Sequence, residues 1–261
     1  MADAARPRNL LHQLQDTLTE VGVRPGSTLM VHSSLGGTGT GATAVRDVLL
    51  RALGPEGTLV VPAFTPENSD TSREYRRMVE GMTEQEKAEF RAGVLPFEQA
   101  TTPCPSMGAL AECVRSTPGA VRSAHPQTSF AGLGPRAAAL LDGHDPHCHL
   151  GEDSPMARLY EADARILLLR VGFEVCSAFH LAEYRMTPPP ARRTYRCVVE
   201  EKGNWIEYED LELYDGDFGA IGALVPRDLY VEREWARRRV VQIGVRDAVD
   251  SASRLMSAYR G

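Results

Sequence analysis

The feature that most constrains the fold of this 261-residue chain is an uninterrupted apolar run, Ile166–Leu169, shortly before Gly172. A run without alternating polar residues is typical of a strand covered on both faces. The segment after this glycine has a helical pattern in which Ser177, His180 and Glu183 share one face. We therefore expect a hydroxyl, an imidazole and a carboxylate just beyond a buried strand, where open α/β sheets place their chemistry. A core strand followed by an ordinary amphipathic helix fits the same residues.

A strand–helix–strand unit is predicted nearer the beginning of the chain. Thr28–His32 and Gly57–Ala63 are short apolar runs, and residues 42–53 between them have helical periodicity, so the two strands are expected to pair in parallel. The Ser/Gly/Thr-rich loop 33–41 precedes that helix, an arrangement that suits a phosphate group. The loop has neither a P-loop lysine nor a dinucleotide-binding glycine pattern, which disfavours ATP and NAD. A flexible connector fits the loop pattern equally well.

The remaining pattern predicts further helices, a hairpin and one long polar insertion. The helices are expected at 8–22, 108–116, 155–161 and 243–259, and the hairpin at 194–200 and 204–208. The insertion, about 64–106, carries two predicted helices, 72–80 and 83–92, and forms part of the substrate cleft in this interpretation. Its acidic side chains suit either a cationic substrate or a solvated face.

Composition excludes several kinds of partner. The net charge of −6 argues against nucleic acid and membranes as partners. No apolar run has the length of a membrane span, and the beginning of the chain lacks the apolar stretch of a signal peptide. Five scattered cysteines without a C-x-x-C motif indicate reduced thiols, so a cytoplasmic location is expected.

The stretch 144–149 contains three histidines, but we expect no metal there. Ligands this close in sequence rarely close around one ion without a distant partner, and no matching Cys/His pair occurs elsewhere. A polar loop is the preferred interpretation. A metal-dependent hydrolase using His144, His147 and His149 is the alternative.

Several segments in order resemble the aminoglycoside 3-N-acetyltransferase-like family of acetyl-CoA-dependent N-acetyltransferases. The resemblance covers about residues 10–225 and rests on an ordered set of motifs: Val31–Leu35, Gly57–Pro62, Thr102-Pro103, Met107-Gly108, Arg122–Pro126, Gly151, Ser154-Pro155, Leu167–Leu169 and His180–Glu183. It implies one α/β acetyltransferase domain, 1–261, with a central mixed sheet flanked by helices. It also implies transfer of an acetyl group from acetyl-CoA to a primary amine of an aminoglycoside antibiotic, an antibiotic-resistance activity.

The resemblance assigns roles to individual residues. His180 becomes the general base of a direct transfer, with Glu183 and Ser177 completing the catalytic cluster. The residues expected to hold acetyl-CoA are His32, Ser33, Ser34, Leu35, Met107, Gly108, His125, Ser129 and Phe130. The residues expected to contact the amine substrate are Asp70, Glu98, Glu174, Arg170 and Asp217. The oligomeric state stays open, with a homodimer as one option.

The sequence departs from the family pattern at Arg170-Val171-Gly172, where relatives commonly have Gly-Val-Gly. An arginine there either pairs with Glu174 and points away, or places a cation near the catalytic face. The second case favours an alternative acceptor, a small amine bearing phosphate or carboxylate in a natural-product pathway. A homologue that binds CoA or an antibiotic without turnover is a further alternative, against which the intact Ser177, His180 and Glu183 argue.

Overall fold

The computed structural model of the chain describes residues 5–260, and their side chains from Asn9 onward. The predicted domain 1–261 also includes residues 1–4 and 261, which lie outside the described residues. The strands are β1 (Thr28–Ser33), β2 (Thr58–Pro62), β3 (Val121–Arg122), β4 (Phe130–Leu133), β5 (Arg165–Leu169), β6 (Arg192–Val198), β7 (Trp205–Leu211), β8 (Tyr230–Trp235) and β9 (Arg238–Gly244). The helices are α1 (Ala5–Glu20), α2 (Ala42–Leu53), α3 (Arg73–Met78), α4 (Glu84–Gly93), α5 (Gly108–Arg115), α6 (Ala137–Leu141), α7 (Pro155–Glu161), α8 (Ala178–Arg185), α9 (Phe218–Ala223) and α10 (Val245–Tyr259).

Seven strands form a mixed sheet in the order β3-β4-β2-β1-β5-β9-β8, and β6 and β7 form a separate antiparallel hairpin. Strand β1 is parallel to both β2 and β5, whereas β4 and β9 run antiparallel to β2 and β5 respectively. The predicted mixed α/β sheet, its parallel β1–β2 unit and the hairpin are therefore confirmed. Strands β8 and β9 were not expected from the sequence.

The apolar run Ile166–Leu169 is covered on both faces. In β5, Ile166 and Leu168 join the core beneath α7, α8, α9 and α10, while Leu167 and Leu169 join the core beneath α1, α2 and α5. All four side chains are completely buried. Each contributes about 2 kcal/mol through apolar burial, which explains why the strand tolerates no alternating polar residue.

The insertion 64–106 contains two short helices, α3 and α4, close to their predicted positions. Ser72 caps α3, and Thr83 and Glu86 form a capping box at the start of α4. Asn68 fastens the insertion to the hairpin, because its Oδ1 accepts the Val198 N–H at 2.8 Å. The insertion is thus held against the hairpin by specific bonds.

All five cysteines are free thiols. Between residues 5 and 260, no helix combines the length and the apolar character that crossing a bilayer requires.

Candidate active site

The carboxyl ends of the parallel strands β2, β1 and β5 open into a cavity of about 350 Å³. Strand β1 brings His32 and Ser33 to it, and the chain after β2 brings Phe64. The segment that follows β5 contributes Val171, Glu174 and Ser177. The cavity therefore lies where parallel strand ends meet, as expected for an α/β sheet.

An imidazole–carboxylate pair forms one wall of this cavity. His180 Nδ1 lies 2.6 Å from Glu183 Oε2, a contact set by their i, i+3 spacing on α8. Glu183 is completely buried, whereas the His180 side chain is 16% exposed and lines the cavity. No described residue hydrogen-bonds His180 Nε2. The carboxylate thus fixes the proton on Nδ1 and leaves Nε2 as the acceptor nitrogen.

Ser177 stands at the beginning of α8 and also lines the cavity. Its carbonyl accepts the His180 backbone N–H at 3.1 Å, so the serine and the histidine are joined through the first turn of the helix. The ring of Phe218 packs 4.7 Å from the His180 ring and covers it on another side. The predicted cluster is therefore assembled at one wall of the cavity.

His32 is a second imidazole at the same cavity. Burial, with a further contribution from the charge of His180, lowers the pKa of His32 to about 4. His32 is accordingly neutral near pH 7, and its Nε2 is a buried polar atom without a partner among the described residues. A neutral His32 keeps a second positive charge away from His180.

Three carboxylates line the cavity around this pair: Glu74 of α3, Glu174 after β5, and Asp215. Asp215 also pairs with Arg73 of α3, which joins the insertion to the loop 213–218. Glu174 accepts the Gly172 N–H at 2.8 Å. The lining is consequently acidic, and its charge suits a cationic ligand.

Several predicted cofactor residues lie elsewhere. Ser33 and Met107 line the cavity, and Gly108 beside them begins α5, but Ser34 and Leu35 stand in the adjoining loop. His125, Ser129 and Phe130 are completely buried and do not line this cavity, so their contact with a cofactor stays a prediction. Their bonds are internal: Ser129 Oγ accepts from Arg122 Nε at 2.9 Å, and Phe130 packs edge-on against Phe64.

Among the predicted substrate residues, only Glu174 lines the cavity. Asp70 is paired with Arg91 and Arg196 at 3.0 Å each, Asp217 is paired with Arg260, and neither carboxylate lines the cavity. Glu98 is exposed outside the cavity lining. The cavity lining therefore gives no support to the predicted substrate contacts of Asp70, Asp217 and Glu98.

Arg170 contacts the 33–41 loop. Its Nη1 donates to the carbonyls of Ser34 and Gly36 at 2.7 and 2.8 Å, and the residue is 6% exposed. It neither pairs with Glu174 nor lines the cavity. Its side chain fastens the 33–41 loop to the end of β5 instead.

The histidine-rich stretch is a structural loop. Nδ1 of His144 bonds Ser123 Oγ and its Nε2 bonds the carbonyls of Cys148 and His149. Both nitrogens of His149 are also engaged, with Asp210 at 2.8 Å and Gln127 at 2.6 Å, while His147 is exposed. Since these ring nitrogens already have protein partners, the arrangement supports the predicted polar loop over the hydrolase alternative.

Sequence reasoning missed Arg260, whose Nη1 donates to Glu183 Oε1 at 2.6 Å. It also did not place Phe218 on His180 or single out Asp215. The acidic, aromatic stretch 213–218 was the available signal for the last two residues. No local pattern connects Arg260 with a glutamate 77 positions earlier.

The His180–Glu183 pair lies at the carboxyl edge of the mixed sheet, where α/β enzymes commonly place their active sites. The family model for aminoglycoside 3-N-acetyltransferase matches residues 30–257. The chain therefore belongs to the aminoglycoside 3-N-acetyltransferase family, which confirms the predicted family and the acyltransferase class.

Individual relatives agree with this membership. The chain is 34% identical to the SPbeta prophage-derived aminoglycoside N(3')-acetyltransferase-like protein YokD of Bacillus subtilis, over 80% of this chain and 78% of that protein. It is 35% identical to aminoglycoside N(3)-acetyltransferase VIII of Streptomyces fradiae, over 76% and 70% of the two chains.

Solved structures share the fold. The crystal structure of YokD superimposes with a TM-score of 0.87 at 29% identity, covering 96% of this chain and 94% of that one. The structure of AAC-VIa bound to sisomicin gives a TM-score of 0.75 at 25% identity, covering 97% of each chain.

Proposed function

We propose that the protein transfers the acetyl group of acetyl-CoA directly to a primary amine of an aminoglycoside, with His180 as the general base. The observation that carries the proposal is the His180–Glu183 pair, whose Nε2 is free at a cavity lined by three carboxylates. Membership of the acetyltransferase family and the sisomicin ligand of AAC-VIa support the choice of acyl donor and acceptor.

The residues beside the cavity suit both ligands. The first turn of α2 has no side-chain cap at Gly41, so its N–H groups remain available to the phosphates of acetyl-CoA. Ser33 and Met107 line the same cavity as His180, which supports assigning them to the acyl arm. Glu74, Glu174 and Asp215 match the positive charges of an aminoglycoside.

Proton movement follows from the geometry of the pair. Acetyl-CoA supplies the thioester carbon, and His180 Nε2 takes the proton that the attacking amine must lose. Glu183 stabilises the resulting imidazolium through Nδ1–H. Once the N–C bond has formed, the C–S bond breaks and the proton taken up at Nε2 passes to the departing CoA sulfur. The Ser177 hydroxyl serves as a donor to the carbonyl oxygen, a contribution of roughly 3 kcal/mol.

The alternative acceptor, an amine bearing phosphate or carboxylate, loses its main support. That proposal depended on a cation of Arg170 near the catalytic face, and the guanidinium is held by the Ser34 and Gly36 carbonyls. An anionic substrate would also meet the three cavity carboxylates. The intact His180–Glu183 pair likewise favours turnover over mere binding.

The test is mass spectrometry of the protein incubated with acetyl-CoA and either sisomicin or an amine carrying a phosphate. We expect one acetyl group on sisomicin and none on the phosphate-bearing amine, and the reverse outcome would refute the acceptor. His180→Ala should lose at least 100-fold in kcat while CoA binding by calorimetry persists, roughly the contribution of a general base. Acetylated protein formed without acceptor would contradict direct transfer.

A further inference from the structure

Glu183 uses its two carboxylate oxygens for different partners. Oε2 takes the Nδ1–H of His180, while Oε1 accepts from Arg260 Nη1 at 2.6 Å and from the Tyr214 N–H at 3.0 Å. Arg260 follows the last residue of α10. A completely buried carboxylate is therefore compensated by a cation that comes from a distant part of the chain.

Arg260 binds a second carboxylate with the rest of its guanidinium. Its Nε and Nη2 donate to the two oxygens of Asp217 at 2.8 and 2.6 Å, and Nη2 also donates to the Tyr214 carbonyl at 2.9 Å. Hydrogen bonds to Asp217 and Glu183 outweigh the effect of burial and raise the pKa of Arg260, so the side chain is a permanent cation. The planar fork thus joins α8, the loop 213–218 and the end of α10.

The loop held in this way belongs to the cavity. Asp215 and Phe218 line it, and Phe218 packs against the His180 ring. A single side chain therefore fixes both the carboxylate that orients His180 and the loop that covers the imidazole.

We propose that Arg260 is a positioning residue for acetyl transfer, which holds the Glu183 side chain against His180 and anchors the loop 213–218, while Asp217 holds the guanidinium in place. This inference rests on the proposed function. Arg260 touches neither the imidazole nor the cavity, so it acts through Glu183 and the loop.

The first test compares Arg260→Gln and Arg260→Lys with Arg254→Gln, which makes the same charge change at an exposed site on α10. We expect Arg260→Gln to lower kcat at least about tenfold, the effect of one lost charge-assisted hydrogen bond, with a smaller change in KM for acetyl-CoA. Arg260→Lys should recover part of the loss, because it restores the cation but not the fork. Arg254→Gln should match the wild type.

The pH profile separates an electrostatic role from mere anchoring of the loop. The charged and titratable groups around His180 are Glu183, His32, His149, Glu74, Glu174, Asp215, Asp217 and Arg260. Arg260→Gln makes these surroundings more negative and should move the acid limb of kcat/KM to higher pH. Asp217→Asn makes them more positive and should move that limb to lower pH. Shifts in the same direction, or none, would overturn the proposal.

A measurement without substrate distinguishes failure of this inference from failure of the proposed function. Hydrogen exchange of the Tyr214 amide, which donates to Glu183, should accelerate at least tenfold in Arg260→Gln and stay unchanged in Arg254→Gln. Unchanged exchange in Arg260→Gln would refute the positioning role, whether or not the wild type acetylates sisomicin. If Arg260→Gln does not fold, unchanged exchange in both Arg260→Lys and Asp217→Asn would refute it instead.

Discussion

Four buried histidines predict that the protein loses stability in mild acid. Burial is the main cause in each case: it lowers the pKa of His32 and of His144 to about 4, that of His125 well below its ordinary value, and that of His149 in spite of Asp210. The unfolded chain protonates the same imidazoles around pH 6.5. Because the unfolded state then binds more protons, the free energy of unfolding falls as the pH falls from about 6.5 towards 4.

The size of the effect follows from the two histidines with defined values. The pKa of His144 changes from 6.5 in the unfolded chain to about 4 in the folded one, so lowering the pH from 7 to 5 reduces the free energy of unfolding by about 2 kcal/mol. His32 contributes the same amount, and His125 and His149 act in the same direction. The two defined groups alone remove about 4 kcal/mol, a large share of the roughly 5–15 kcal/mol typical of a folded protein.

His144→Gln tests this reasoning by urea unfolding at pH 7, 6 and 5. An amide can donate to the Cys148 carbonyl and accept from Ser123, as the imidazole does, but it does not titrate. Whatever the stability of the variant at pH 7, its loss of unfolding free energy between pH 7 and 5 should be about 2 kcal/mol smaller than in the wild type. His147→Gln, at an exposed position, is the matched control and should keep the wild-type loss. If His144→Gln also keeps it, the buried imidazole is not the acid-sensitive group.

Two further predictions concern arginine contacts. Arg170→Gly should relieve about 1 kcal/mol of left-handed backbone strain (φ 63°) but release the 33–41 loop. The KM for acetyl-CoA should therefore rise at least threefold, while the melting temperature changes by only a few degrees. An unchanged KM would contradict the anchoring role. Asp70→Asn should cost about 1 kcal/mol of unfolding free energy in urea, since it discharges a carboxylate shared by two partly exposed arginines, and an unaltered denaturation midpoint would argue against that pairing.

Local patterns predicted the elements whose signals are contained within one segment. Helix α2 has its predicted bounds, and α7 begins at Pro155 with Ser154 as its cap, because periodicity and capping residues lie side by side in the sequence. The i, i+3 spacing also predicted the contact between His180 and Glu183. The catalytic role of that contact remains a proposal.

Features set by long-range pairing could not be predicted in the same way. Strand β9 is defined by its ladder with β5, far away in sequence, and β8 is a charged edge strand whose residues resemble a polar loop. Likewise, nothing in the sequence distinguishes Asp70, which two arginines neutralise, from Glu74, which lines the cavity. Burial and partners, rather than residue type, decide which acidic side chains a substrate can meet.

Arg170 shows how a departure from a family pattern can concern the backbone instead of the substrate. Its φ of 63° lies in the left-handed region, which is the conformation that favours the glycine expected there from the family resemblance. An arginine keeps that conformation only if something else compensates the strain, and two hydrogen bonds to the Ser34 and Gly36 carbonyls do so. Those bonds also keep its charge out of the cavity lining, which contains the carboxylates of Glu74, Glu174 and Asp215. The residue that argued against a polycationic acceptor in the sequence is therefore compatible with one in the structure.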